Sequence, residues 1–284
     1  MKISFLIPTK DGGDGFSKLV ESIKSNISYA NNNGIYFEYE AILIINGDPR
    51  KPEKYIDSNK SVRNFFQVKK INLLGKIISI NYLLTKTTSD IVVILDDDVY
   101  FKERLLFLAL SKLKTNQDLK LIAFQNHALP YVGKNIINNF FYDIINIRSL
   151  KNLYVGIDPF GRFLVCKREA LTVPNEIIND DLYLSLIHDE HFLILPEEVF
   201  YMGEYSLLKH VKRVLRLKAG RDQLKKLFPE LYKKLLNKSK RKIDQQKLES
   251  IGLYYKICYS LYKILRFVTN SIIVNLFKHR TSYW

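Results

Sequence analysis

Cysteine is nearly absent. Cys166 and Cys258 are the two thiols in 284 residues, too few for a disulfide framework, and nothing around them spaces like a zinc site. A reducing cytosol is therefore the expected compartment. Long apolar runs are missing too: no window reaches ~18 uncharged apolar residues, so a membrane-spanning helix is not expected. The nearest approach, residues 267–277, is short and broken by Thr269, Asn270, Ser271 and Asn275. The apolar start MKISFLIPTKDGG stops at Pro8 without a small-residue cleavage site, which reads as a first β-strand and not a signal peptide. Gly12, Gly13 and Gly15 match neither a P-loop nor a dinucleotide fingerprint and read as turn residues. No internal repeat occurs. Acid is scarce against base, 29 Asp and Glu to 44 Lys and Arg. The resulting charge of +15 points to a polyanionic partner: nucleic acid, anionic lipid or a phosphorylated substrate. The length suffices for one large α/β domain, or for a domain with an appendage.

What is present is organised around residues 91–100, IVVILDDDVY. An apolar, β-branched run too short for a lone helix reads as a buried parallel strand, and it ends in Asp96, Asp97 and Asp98. Ligands of open α/β sheets bind outside the carboxyl ends of the strands. If the strand persists, side chains alternate, so Asp96 and Asp98 point one way and Asp97 the other. Two like-directed carboxylates need a cation between them. A hard ion such as Mg²⁺ or Mn²⁺ fits, because it accepts one or two carboxylates and takes its other ligands from water and a substrate's phosphates. A solvated acidic turn is the plainer alternative; the position directly behind a buried strand favours the metal–diphosphate site.

Strands and helices alternate on either side of this stretch. Residues 3–9 are strand-like and 16–29 amphipathic, with Phe16, Leu19, Val20, Ile23 and Ile27 on one face. Residues 39–45 and 65–71 read as strands, 75–84 and 105–113 as helices, and 119–124 as another strand. This alternation predicts a parallel, doubly wound sheet. Residues 126–154 carry no clear period. Residues 161–166 read as a strand, and Asn179, Asp180 and Asp181 open an apolar helix, where helix capping alone is the competing explanation of the acids. Residues 191–201 form a last strand whose Pro196 argues for a sheet edge. From residue 209 the chain turns strongly basic. Beyond that, residues 251–277 are rich in Ile, Leu, Tyr and Phe, with Lys256, Ser260, Lys263 and Arg266 at roughly helical spacing. Such a helix suits either a bilayer interface or packing as ordinary core, and the bordering cations favour the interface.

Taken in order, these pieces resemble the family 2 glycosyltransferases, inverting enzymes of the GT-A fold. The resemblance covers roughly residues 2–223. Ile7-Pro8-Thr9-Lys10-Asp11 stands where I-P-T-Y-N is common, and Asn46-Gly47-Asp48 where D-D-G-S or D-N-G-S falls. Gly75-Lys76 with Asn81 resembles G-K-x-x-A-x-N, Asp96-Asp97-Asp98 the D-x-D motif, and Asn179-Asp180-Asp181 the E-D element. Arg213 to Leu217 with Gly220 resembles Q-x-x-R-W. The resemblance implies a mixed, mostly parallel α/β sheet with helices on both faces and a C-terminal helical extension. Residues 1–208 would form the GT-A catalytic domain and 209–284 a basic, amphipathic extension.

By the same resemblance Thr9, Asp11 and Asn46 would surround the base of the nucleotide and Lys76 would lie near it. Asp96 would touch the nucleoside, with Asp97 beside it in the donor site. Asp98, together with Asp96, would ligate Mg²⁺ or Mn²⁺. Asp181 would be the general base, Asp180 its alternate, and Arg216 would meet the diphosphate or acceptor. The implied partners are a nucleoside-diphosphate sugar, a UDP-sugar favoured, and a saccharide or lipid-linked acceptor in surface glycan synthesis. The basic–aromatic C-terminus adds peripheral contact with the anionic inner face of the cell membrane, and no nucleic acid is expected. Arg213 and Leu217 depart from the glutamine and tryptophan of processive members, which predicts single additions. Two rival functions are a sugar-nucleotide nucleotidyltransferase, which would want a Gly-rich loop followed by Arg and Lys, and a non-catalytic membrane or nucleic-acid adaptor. His188 and His191 fall at a helix-to-strand turn and read as polar loop residues, not metal ligands.

Overall fold

The computed structural model describes residues 1–10, 12–13, 15–72, 75–130, 135–151, 153–155, 161–203, 206–238 and 242–269. In chain order its elements are β1 (Lys2–Thr9), α1 (Phe16–Asn32), β2 (Glu38–Ile45), α2 (Arg50–Ser58), α3 (Lys60–Phe65), β3 (Gln67–Lys70), α4 (Lys76–Leu84), β4 (Ile91–Leu95), β5 (Val99–Phe101) and α5 (Leu105–Thr115). There follow β6 (Leu121–Leu129), α6 (Ile136–Leu150), β7 (Tyr154–Val155), β8 (Phe163–Lys167), α7 (Asp180–Ile187), β9 (Phe192–Met202), α8 (Leu207–Leu227), α9 (Pro229–Lys238), β10 (Lys242–Ile243), α10 (Gln245–Ser250) and α11 (Leu253–Val268). The chain divides into two compact units, Met1–Asn126 with Pro159–Phe200, and His127–Asp158 with Tyr201–Trp284. The compositional change at residue 209 falls inside the second.

The first unit is built on an eight-stranded sheet of order β3-β2-β1-β4-β8-β6-β9-β5. β1 pairs in parallel with β2 and β4, and β2 with β3, as the alternating pattern predicts. β8 is reversed: it runs antiparallel to β4 on one side and to β6 on the other. The expected strand at 119–124 therefore keeps the direction of β4 without touching it. The sheet is mostly parallel with an antiparallel insert. β4 is buried along its whole length, which is why its sequence is continuously apolar. α1 covers the sheet with the predicted face: Phe16, Leu19, Val20, Ile23 and Ile27 are all buried. Each such side chain contributes about 1.5–3 kcal/mol by leaving water. Buried Asn26 on that helix is fully used, donating to the carbonyls of Ser22 and Lys102 and accepting from Leu106 N–H.

One strand reading is corrected. β9 is not the sheet edge, because β5 lies beyond it. Pro196 is tolerated there because β5 has three residues against eleven in β9, and the stacking of Tyr100 on Phe200 sets β5 towards the far end from the proline.

The second unit contains the helix that the sequence hid, α6. Asn135 caps it, its side chain accepting from Ile137 N–H and Asn138 N–H. α11 packs on α6 and the residues just after it, with Cys258 and Tyr259 in one cluster with Ile144 and Ile147 of α6 and with Leu153. Arg148 donates to the Tyr262 hydroxyl at 2.9 Å. Leu253, Ile257, Ile264 and Phe267 on the opposite face of α11 remain exposed. The core expectation is met by one face of this helix, while the other face is an uncovered apolar row. No helix among the described residues is long and apolar enough to cross a membrane.

Candidate active site

The carboxyl ends of β1, β2 and β4 bring Thr9, Asn46 and Asp96 to one rim of the sheet, because these three strands are adjacent and parallel. Asn46 is buried just past β2 and faces the start of α4. Its amide donates to Ser79 Oγ at 2.8 Å and to the Gly75 carbonyl at 3.2 Å. Gly75 has φ +125°, a conformation that suits glycine, and from it α4 begins with Lys76 as its first residue. Asn46 therefore holds the turn that aims Lys76. The other side-chain atom of Asn46, Oδ1, is buried and accepts no hydrogen bond from the protein.

Lys76 connects the two acidic segments. Its ammonium lies 2.9 Å from Asp96 Oδ1, 3.3 Å from the Gly161 carbonyl and 3.6 Å from Asp180 Oδ2. Burial on its own would push the Lys76 pKa down, but Asp180 and Asp96, with Asp181 further off, outweigh it and hold the group well above its ordinary value. Arg162 takes the other side of Asp96. One guanidinium nitrogen sits 3.3 Å from Asp96 Oδ2 and 2.8 Å from Asp98 Oδ1. Asp96 and Asp98 thus share one cation, as their like direction requires. Four carboxylates, those of Asp96, Asp98, Asp180 and Asp181, lie around two fixed positive charges.

Asp97 points away from its neighbours, although β4 ends at Leu95 and the triplet follows it in a turn, not in the continued strand that alternation assumed. Thr9 donates its hydroxyl to Asp97 and accepts the Gly12 N–H at 3.1 Å. Burial, helped by the charges of Asp98 and Asp96, pushes the Asp97 carboxyl up to about 7 against the opposing pull of Thr9. Gly12 and Gly15 prove more than turn residues. A Cβ on Gly12 would collide with the Asp97 carboxylate, and one on Gly15 would lie 2.7 Å from the Asp97 carbonyl. The loop closes over the aspartate triplet only because both lack side chains.

Asp180 and Asp181 occupy the first turn of α7, where the helix dipole favours negative charge. Asp180 is buried, and its Oδ2 accepts no hydrogen bond. Asp181 packs over Gly161, whose missing Cβ would stand 2.7 Å from the Asp181 Cβ. The segment leading into α7 is tied to α4 by Asn81, which donates to the Val173 carbonyl at 2.8 Å and to Asn175 Oδ1 at 2.7 Å. The acidic pair and the aspartate triplet, far apart in sequence, therefore lie on one side of the sheet around Lys76.

Asp11 lies outside the described residues. Arg216 belongs to the second unit, exposed on α8, which also carries Arg213 and Gly220. His188 is committed to structure: Nε2 donates to the Ala170 carbonyl at 2.9 Å. Among the described residues no three His, Cys, Asp or Glu side chains form a metal cage. A metal here would be of the kind held by two carboxylates and a substrate's phosphates. The Asp96–Asp98 pair fits that demand, since both acids already reach a common point with hard oxygen donors.

Several solved structures share the fold. The mannosyltransferase PcManGT from Pyrobaculum calidifontis, in complex with GDP-Man and Mn²⁺, matches with a TM-score of 0.56 and 13% identity, over 97% of this chain and 86% of that one. Glucosyl-3-phosphoglycerate synthase from Mycobacterium tuberculosis, in complex with Mn²⁺, UDP and phosphoglyceric acid, matches with 0.53 and 14%, over 77% and 78%. S. aureus TarS 1-349 matches with 0.51 and 13%, over 99% and 76%. The fold is that of the GT-A glycosyltransferases. Residues 4–158, more than half the chain, match the family described as Glycosyl transferase family 2, and the chain belongs to it. It is a glycosyltransferase. No curated protein matches it in sequence.

Proposed function

We propose that the chain is a metal-dependent, inverting glycosyltransferase. It moves a sugar from a nucleoside-diphosphate sugar, with a UDP-sugar favoured, to a hydroxyl of a saccharide or lipid-linked saccharide in surface glycan synthesis. The observation that carries this reading is the meeting of Asp96, Asp98, Asp180 and Asp181 around Lys76 and Arg162. Asp96 and Asp98 would hold Mg²⁺ or Mn²⁺, which when bound neutralises charge developing on the departing diphosphate. The complexes of similar fold with Mn²⁺ and UDP or GDP-Man support this choice.

Lys76 adds a fixed positive charge beside the leaving group. Asn46, with Thr9 and Asp97 near the same rim, lines the base side, and the sequence motif adds Asp11 to that group. The unsatisfied Asn46 Oδ1 supports recognition of a base N–H, because a buried acceptor without a donor costs about 1–3 kcal/mol that a ligand can recover. Asp181 takes the proton from the attacking hydroxyl, with Asp180 as alternate. A single displacement from the face opposite the diphosphate inverts the anomeric centre. Arg216 meets the diphosphate or the acceptor from the extension, residues 209–284, while residues 1–208 act as catalytic domain. The exposed apolar row of α11, bordered by Lys256, Lys263 and Arg266, supports peripheral attachment to the inner face of the cell membrane.

The test is a panel of UDP-, GDP- and dTDP-sugars assayed for binding and for slow hydrolysis with and without Mn²⁺. Binding and hydrolysis of at least one, lost on chelation, is the expected result. Absence of binding to every sugar nucleotide would leave a non-catalytic adaptor. Diphosphate release from a nucleoside triphosphate and a sugar phosphate would point to a nucleotidyltransferase.

A further inference from the structure

We infer that Arg162 is a resident counterion of the metal seat: it bridges Asp96 and Asp98 in the metal-free protein, yields that place to the divalent ion, and turns its fork to the diphosphate. The inference rests on the proposed function and assigns a residue that no motif marks.

The backbone holds Arg162 in place. In the antiparallel β4–β8 pair Leu95 faces Phe163, and one step further Asp96 N–H donates to the Arg162 carbonyl at 3.0 Å. Arg162 is thus the cross-strand neighbour of the first acid. Its side chain is only 18% exposed, so the charge sits in a partly desolvated place and interacts strongly. A guanidinium does not shed its proton at accessible pH, whereas a lysine in such a place could. The positive charge between the two acids is therefore permanent.

The division of oxygens is informative. Lys76 takes Asp96 Oδ1, while Arg162 takes Asp96 Oδ2 together with Asp98 Oδ1. A divalent ion held by both Asp96 and Asp98 takes the bridging position where the Arg162 guanidinium nitrogen now sits, and repulsion between two cations at that separation drives the arginine out. Arg162 must move. Its planar fork matches a diphosphate's oxygens, which arrive with the same metal. Metal alone displaces Arg162 without offering it an anion. Metal with nucleotide replaces two carboxylates by phosphate. Binding of metal and nucleotide is therefore mutually favourable, and the coupling passes through this side chain.

The experiment measures affinity for Mn²⁺ alone, and for UDP and GDP with saturating Mn²⁺, in the full-length protein and in Arg162→Gln and Arg162→Lys. Calorimetry and the loss of the free Mn²⁺ spin-resonance signal provide readouts independent of turnover. Arg162→Gln is expected to bind Mn²⁺ alone about tenfold more tightly and nucleotide about tenfold more weakly, with Arg162→Lys in between. Mn²⁺ affinity unchanged or weakened in a folded Arg162→Gln, with Arg162→Lys equal to wild type, overturns the inference while the proposed function stands. Failure of the wild type to bind either Mn²⁺ or nucleotide overturns both.

Discussion

The ammonium of Lys76 lies 2.9 Å from Asp96 Oδ1, joining the first residue of α4 to the end of β4. Asp180 shares it at 3.6 Å, and Asp180 is buried. Lys76→Ala would strip that carboxylate of its counterion, at a cost of about 1–3 kcal/mol given the partial exposure of the pair. Because the Lys76 pKa is raised in the folded protein, its contribution is fully present below the unfolded lysine value and fades only in strong alkali. Wild-type stability should therefore be insensitive to this group between pH 5 and 9, values spanning about two units either side of neutrality. The loss in the variant should therefore be the same at both ends of that range, as urea unfolding measures, and a loss confined to one end would refute it. Nucleotide affinity should fall about tenfold in the same variant.

Asp181 and Gly161 form the second test. The Leu182 N–H donates to Asp181 Oδ1 at 2.8 Å, so the backbone of α7 fixes one oxygen of the carboxylate. Asp181→Asn should reduce transfer about 10²–10⁴-fold, the usual reach of a general base, with little change in donor affinity. Gly161→Ala should produce a milder version of the same defect, because the new Cβ forces Asp181 aside. Steady-state kinetics separates rate from affinity. Full activity in Asp181→Asn together with loss in Asp180→Asn would exchange their roles.

The legible parts of this site are those that depend on one segment. A buried run ending in acids identifies β4 and the aspartates behind it from local pattern alone, and the same holds for the apolar face of α1. Asn46 was legible as a position but not as a support, since its grip on Gly75 and Ser79 exists only once β2 lies beside α4. Arg162 left no trace at all. It reaches Asp96 from 66 residues away because β8 is reversed within the sheet, and no periodicity reports strand direction. The helix α6 was hidden for another reason. Asn138, Asn139 and Asn146 interrupt its apolar pattern, and buried Asn146 satisfies itself by donating to the Tyr142 carbonyl.

His188 supplies a pH dependence away from the acids. Burial lowers its pKa, with the nearby charges of Lys120 and His191 acting the same way, while its bond to the Ala170 carbonyl opposes them. A histidine lowered in the folded state stabilises above its unfolded value, about 6.5, and that stability is lost as pH falls through it. The melting temperature should therefore drop from pH 7 towards pH 5 (both about the histidine range), and the drop should be smaller in His188→Gln. Identical pH profiles for wild type and variant would exclude His188 as its source.

The membrane reading can be tested without removing a helix. Deleting residues 251–284 would remove Cys258 and Tyr259 from their packing against Ile144, Ile147 and Leu153, so lost pelleting could reflect a broken core. Leu253, Ile257, Ile264 and Phe267 offer a cleaner target, since all are exposed and lie on the face of α11 turned from that cluster. Each would bury several methylenes in a bilayer interface at about 0.8 kcal/mol apiece, and each neighbouring cation adds about 1 kcal/mol near anionic lipid. Replacing the four by serine should abolish co-sedimentation with anionic vesicles while leaving the melting temperature and sugar-nucleotide binding intact. Replacing Lys256, Lys263 and Arg266 by glutamine should instead weaken binding and flatten its salt dependence, because exposed charges act through a screened field. Unchanged pelleting of the serine variant would remove the membrane from the proposal and leave the exposed row to some other partner.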